Sequence, residues 1–186
     1  MRGGPAGAAR KARWREVKSS YESFSFHKNW SKGMTMTPEQ RLADRGLTLP
    51  NAPAPAANYV PYVLSGSHLY ISGQISQGPN GLITGKVGAD VDVLAAQDAA
   101  KMCALAILAQ AKAALGDLGK IKQVIKLTGF VNSTPDFTDQ PEVINGASDL
   151  LVDILGDAGR HARAAVSAGA LPRGVAVEID AVLEVA

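Results

Sequence analysis

Few residues in this chain are equipped for chemistry, and those that are crowd towards its end. Arg160, His161 and Arg163 lead into a short apolar segment, and Glu178 and Asp180 lie on the next one. A guanidinium in an apolar strand is costly unless it is paired. If the two segments neighbour each other, guanidinium and carboxylates meet, and two readings stand open. One is a structural Arg–carboxylate pair. The other is a fork that grips a substrate carboxylate through two parallel hydrogen bonds, beside an acid that handles water or a proton. Other chemistries find little support. His27, His68 and His161 have no ligand spacing, so no metal site is expected. Cys103 falls inside the apolar run 102–109 and is expected to be buried and inert. Ser72 is not on a strand-to-helix elbow and has no His close in sequence to activate it. Residues 80–86 (NGLITGK) end in Gly-Lys, but they lack the first Gly of a phosphate loop and place Val87 where Ser or Thr is needed.

The elements that must position these residues can be read from pattern. Thr37-Pro38-Glu39-Gln40 is a helix start with a capping box, and Gly46 a stop, which gives a short helix over 38–45. Residues 51–57, with two prolines alternating with Ala, favour an extended path. Strands are expected over 59–64 and 68–75, joined as a hairpin by Ser65-Gly66-Ser67, with a short strand near 82–84. Asp90 and Asp92 offer caps for a long Ala-rich helix over about 92–114. A strand over 121–132, a helix over 142–155 with Val143, Ile144, Leu150, Leu151 and Ile154 inward, and strands over 162–167 and 175–184 complete the order. The last strand alternates, with Val177, Ile179 and Ala181 on one face and Glu178, Asp180, Val182 and Glu184 on the other. This is the α+β solution, with helices on one face of a mixed sheet. The charged residues on the other face suggest a subunit interface or a site there.

Composition narrows the classes further. The 186 residues hold one Cys, which excludes an internal disulfide framework and a multi-cysteine zinc module. The run 102–109 is too short to span a bilayer. The net charge of +2 conceals an asymmetry: residues 1–33 carry eight Lys/Arg against two Glu, while residues 34–186 carry eleven against fifteen Asp/Glu. A nucleic-acid partner is therefore not expected for the body. Residues 1–36 read as a disordered basic leader, with Trp14 and Trp30 a weak nucleic-acid signal, and residues 37–186 as a single domain. The leader has no apolar core of a secretory signal, and Met34 or Met36 is an alternative start.

The segments Tyr59-Val-Pro-Tyr-Val63, Leu69-Tyr-Ile-Ser-Gly-Gln-Ile75, Ala162-Arg163-Ala-Ala-Val166, Leu171-Pro172 and Val177-Glu178-Ile179-Asp180-Ala181 carry a resemblance. In order and spacing they resemble the RidA (YjgF) family of enamine/imine deaminases, over about residues 47–186, and specifically a longer subgroup with an N-terminal extension. The resemblance implies a chorismate-mutase-like fold, a six-stranded mixed sheet with two helices packed on one face, and a homotrimeric barrel with active sites in the clefts between subunits. It implies hydrolytic deamination of reactive 2-imino acids and their enamine tautomers, of the 2-aminoacrylate/2-iminopropanoate kind, to a 2-keto acid and ammonia. It implies no cofactor, no membrane partner and a cytoplasmic setting. By position, Arg163 matches the carboxylate-binding Arg and Glu178 the acid that positions water. Tyr62, Ser72 and Asn145 match pocket residues, the last across a small insertion at 138–141. Ala165 stands where well-known members carry Cys. The alternative is a non-catalytic trimeric module that uses the same Arg to bind a carboxylate metabolite.

Overall fold

The structure is a computed structural model and describes residues 36–54 and 57–186. The chain divides into two units, Met1–Thr35 and Met36–Ala186, and the second is described here. The expected leader, with Trp14 and Trp30, lies outside the described residues apart from Met36, as do residues 55–56 of the extended segment.

The capping box at Thr37 forms as read: Thr37 Oγ1 accepts from the Gln40 amide at 3.2 Å and Gln40 Oε1 accepts from the Thr37 amide at 2.8 Å. Helix α1 (Pro38–Asp44) follows and buries Leu42. The main sheet comprises β1 (Tyr62–Ser65), β2 (His68–Ile75), β5 (Ile121–Asn132), β6 (Ala162–Ala168) and β7 (Val177–Val185), in the order β1-β2-β7-β5-β6. All neighbours are antiparallel except β5 and β6. Strands β3 (Gln77–Gly78) and β4 (Gly81–Leu82) pair with each other as a separate two-stranded ribbon.

This departs from the six strands expected. The chain after β4 is extended and bonds backbone to backbone with the approach to β7, through the Ala176 amide to the Ile83 carbonyl and a single Thr84–Val175 bridge. It turns away at Gly85 before a ladder can build, so the sixth strand is only a bridge.

Two long helices, α2 (Val93–Leu115) and α3 (Gln140–Leu155), cover one face of the sheet. Asp92 caps α2 by accepting from the Ala95 amide at 2.8 Å. Helix α2 has the length and apolarity to cross a membrane, but its residues from Cys103 to Ala111 are all buried in the domain. It is the core helix. Opposite the two helices stand Leu69, Ile71, Leu127, Val131, Ile179 and Leu183, all essentially inaccessible. Each such side chain contributes roughly 1.5–3 kcal/mol by burial. Cys103 is fully buried, with Sγ 3.6 Å from the Val177 carbonyl, and burial pushes its thiol far above the ordinary range.

Small residues set the helix spacing. Gly146 of α3 lies directly on the backbone of α2 at Gln97, and a Cβ there would overlap the Gln97 carbonyl oxygen. Gln97 also donates to the Glu142 carbonyl at 2.9 Å and stitches the two helices. Gly146→Ala is expected to force them apart and cost about 1–3 kcal/mol. In a urea titration the midpoint should fall with an unchanged slope; an unmoved midpoint would contradict this packing.

Lys86, the lysine of the rejected phosphate-loop motif, has a structural use. Its Nζ donates to Asn132 Oδ1 at 3.0 Å, the Ser133 carbonyl at 3.3 Å and the Gly169 carbonyl at 3.0 Å. It ties the end of β5 to the loop between β6 and β7.

Candidate active site

Register decides which face each candidate residue occupies, because side chains paired across strands share a face. Gly129 of β5 lies beneath Ile144 of α3, so Leu127, Gly129 and Val131 face the helices. Arg163 pairs with Leu127, and Leu127 with Ala181. Arg163 therefore projects to the helix side, on edge strand β6.

There it is held by α3. Nη1 donates to Asn145 Oδ1 and to Ser148 Oγ, both at 2.9 Å, and Nη2 donates to the Pro141 carbonyl at 3.3 Å. Asn145 is oriented in turn by donating to Glu142 Oε2 at 3.2 Å. Asn145 and Ser148 stand three residues apart and so share one face of the helix. A guanidinium has five N–H donors; three are engaged here, which leaves two for a ligand. Arg163 makes no ion pair among the described residues. Its charge is held in place but not neutralised.

Beside it lies a depression of about 260 Å³ lined by Ser148, Val152, Arg160, His161 and Arg163. His161 Nε2 lies 3.0 Å from Ser148 Oγ and Nδ1 lies 2.6 Å from the Gly159 carbonyl. Burial, helped by the Arg163 charge, holds the imidazole below its ordinary pKa against the opposing pull of the Gly159 bond.

Glu178 is elsewhere. It pairs with Phe130 of β5 and Ile75 of β2 and faces away from the helices. Strand β5 separates β6 from β7, so Arg163 and Glu178 stand two strand spacings apart across the sheet, roughly 10 Å. They are offset along it, because one pairs with Leu127 and the other with Phe130, and they lie on opposite faces. The neighbouring strands on which a direct Arg–carboxylate pair depended do not occur.

Glu178 has a prepared position of its own. Strand β2 bulges between Ile71 and Gln74, where Ser72 and Gly73 together oppose one residue of β7. Gly73 lies against the Glu178 carboxylate, and a Cβ at that position would overlap Glu178 Oε1. Ser72 donates from Oγ to the Val60 carbonyl at 2.8 Å and from its amide to the Pro61 carbonyl at 3.0 Å, which anchors the start of β1. Tyr62, paired with Ile71, packs at the margin of the core. Burial first, and then the nearby Asp180 charge, raises the Glu178 pKa above the usual carboxylate value.

The candidate residues thus fall into two groups, two candidate half-sites. Arg163 and Asn145 form one at the β6–α3 edge. Ser72 and Glu178 form the other across β2 and β7, whereas Tyr62, paired with Ile71, shares the helix face and stands apart from Glu178. Sequence reading passed over Ser148 and Gly73. Ser148 was legible as the residue one turn beyond Asn145 on the same helix face, and Gly73 as the glycine of the S-G-Q block.

The five-stranded mixed sheet with two long covering helices defines a chorismate-mutase-like fold. Residues 39–179 match the family model described as "YjgF/chorismate_mutase-like, putative endoribonuclease", and the chain belongs to this YjgF/RidA family. It is 52% identical over 147 residues to Protein TCP17 of Trypanosoma cruzi, covering 78% of this chain and 90% of that protein. The crystal structure of Atu1372 from Agrobacterium tumefaciens, a protein of unknown function, is 55% identical and aligns with a TM-score of 0.75 over 80% of this chain and 92% of that one. The structure of E. coli TdcF with bound serine is 30% identical, with a TM-score of 0.52 over 73% and 94% of the two chains.

Proposed function

We propose that this protein hydrolyses small reactive 2-imino acids, and their enamine tautomers, to 2-keto acids and ammonia. The observation that carries this reading is the Arg163 guanidinium, fixed by Asn145, Ser148 and the Pro141 carbonyl, unneutralised, and with two donors to spare. That is what bidentate capture of a planar carboxylate requires. The serine named in the TdcF structure is a small molecule with that same carboxylate, which supports the reading.

The reaction needs little else. A protonated imine is already electrophilic, and holding its carboxylate fixes the carbon that water must reach. One water adds to the C=N carbon, and the carbon–nitrogen bond then breaks. The 2-imino acid and water leave as the 2-keto acid and an ammonium ion, with no oxidant or reductant. Glu178, its pKa raised, is suited to take a proton from the attacking water and return it to the departing nitrogen. No cofactor enters this scheme.

The two half-sites lie on opposite faces of one sheet, so they can converge only across a boundary between copies. The uncovered face exposes Val63, Tyr70, Ile125 and Val166, an apolar surface suited to burial. In this proposal three copies close a barrel with these faces inward, and the β6 edge of one meets Ser72 and Glu178 of the next. The setting is the cytoplasm, and the partner is a small 2-imino acid rather than nucleic acid.

The test is coupled turnover. An amino-acid oxidase or dehydratase generates 2-iminopropanoate, semicarbazide traps it, and the protein should suppress the trapped adduct. Undiminished adduct across small, branched and aromatic imines, with keto-acid affinity retained, would favour the non-catalytic binding module instead.

A further inference from the structure

The Ser148 hydroxyl sits between two nitrogen groups whose roles are fixed from both ends. A guanidinium can only donate, so Ser148 Oγ accepts from Arg163 Nη1. The Gly159 carbonyl can only accept, so His161 Nδ1 carries the ring hydrogen. The neutral ring then offers Nε2 as an acceptor, and the Ser148 O–H is spent on it. The result is a directional relay that runs from Arg163 to the backbone.

Resting on the reading of Arg163 as a carboxylate fork, we infer that Ser148 and His161 are its positioning residues, and that protonation of His161 converts the Arg163 site to a tighter anion-binding state. A protonated ring must donate from Nε2 to Ser148 Oγ. That oxygen keeps its bond from Arg163 on the second lone pair, and the hydroxyl hydrogen turns into the depression as a further donor. The site gains one positive charge and one donor together.

The surroundings leave the added charge uncompensated. Helix α3 lines the depression with Ser148 and Val152, and the chain entering β6 lines it with the cations Arg160 and Arg163; Glu142 of α3 accepts from Asn145 at 3.2 Å, not from the ring. The 156–159 turn presents the Gly159 carbonyl and Asp157, whose fully exposed carboxylate is turned to Arg160 at 3.3 Å. Gln123 of β5 contributes only a neutral amide, bonded to the Arg160 carbonyl. A bound carboxylate is then the counter-charge for Arg163 and the protonated ring. An opposite charge at this range raises an imidazole pKa by about one unit or more, and by linkage the anion binds about tenfold more tightly once the ring is protonated.

Pyruvate, the product of 2-iminopropanoate hydrolysis, is the probe. Calorimetric titration of the full chain between about pH 5 and 8, the range in which histidine changes charge, should show its Kd falling about tenfold on acidification. In His161→Gln the Kd should not vary with pH. Ser148→Ala should weaken binding throughout, and Ser148→Thr should restore it. In NMR spectra of the free protein His161 should be the Nδ1–H tautomer, with a pKa that pyruvate raises. Wild-type binding that ignores pH, or an Nε2–H tautomer, overturns the coupling and leaves the carboxylate fork standing. Failure of pyruvate to bind at every pH overturns the fork and the coupling with it.

Discussion

Arg163→Lys is expected to lower kcat/KM for imine hydrolysis by about 10²–10⁴, mostly through KM, in a protein that still folds. Lysine keeps the charge but presents a point ammonium instead of a planar fork. Two charge-assisted hydrogen bonds to the carboxylate are worth about 1.5–3 kcal/mol each, and each 1.4 kcal/mol is a factor of ten. The variant also loses the simultaneous hold by Asn145, Ser148 and the Pro141 carbonyl, so the ammonium is not aimed. Arg163→Ala should go further and leave the trapped adduct undiminished. Steady-state kinetics on both variants decide the matter. Wild-type turnover in either would remove the carboxylate anchor and with it the proposed chemistry.

Glu178→Gln should produce the opposite split: kcat falls by about 10²–10⁴, the usual worth of a positioned acid–base group, while KM stays close to wild type. It should also stabilise the protein at neutral pH. Burial and the Asp180 charge raise the folded-state pKa of Glu178 above its unfolded value. The folded state therefore binds that proton more tightly. The stability this gives is full below the unfolded pKa and is lost as pH rises through the folded one. Glutamine stays neutral throughout, so its Tm should exceed that of wild type above the folded pKa and converge with it in acid. A Tm gain coupled to a kcat loss marks a group kept at a cost to stability. Unchanged kcat would assign Glu178 no part in proton transfer.

Much of the architecture was legible because particular segments are rich in strand-forming residues and bounded by turn residues. Strands β2 and β5 begin and end where those runs do, at His68–Ile75 and Ile121–Asn132, although each carries register shifts inside it. Helix α3 starts two residues earlier than its apolar pattern, because Pro141 in its first turn suits that position without contributing to the buried face. The candidate residues could be named one by one from the sequence, but their arrangement could not. Strands β6 and β7 are consecutive, and consecutive strands usually pair. Here β7 is apolar on its whole inner face and takes the centre between β2 and β5, while β6, built of Ala and Ser around Arg163, takes the edge. That ordering depends on competition among all the strands for central positions, which no single segment encodes.

The seclusion of Cys103 makes the chain a convenient reporter of its own assembly. It is the sole cysteine in the sequence, and it is sealed between helix and sheet. A cysteine introduced at an exposed position, such as Ser67→Cys in the hairpin turn, becomes the one thiol that a maleimide dye can reach. Fluorescence between labelled copies then measures how many chains associate, and at what separation, without disturbing either half-site.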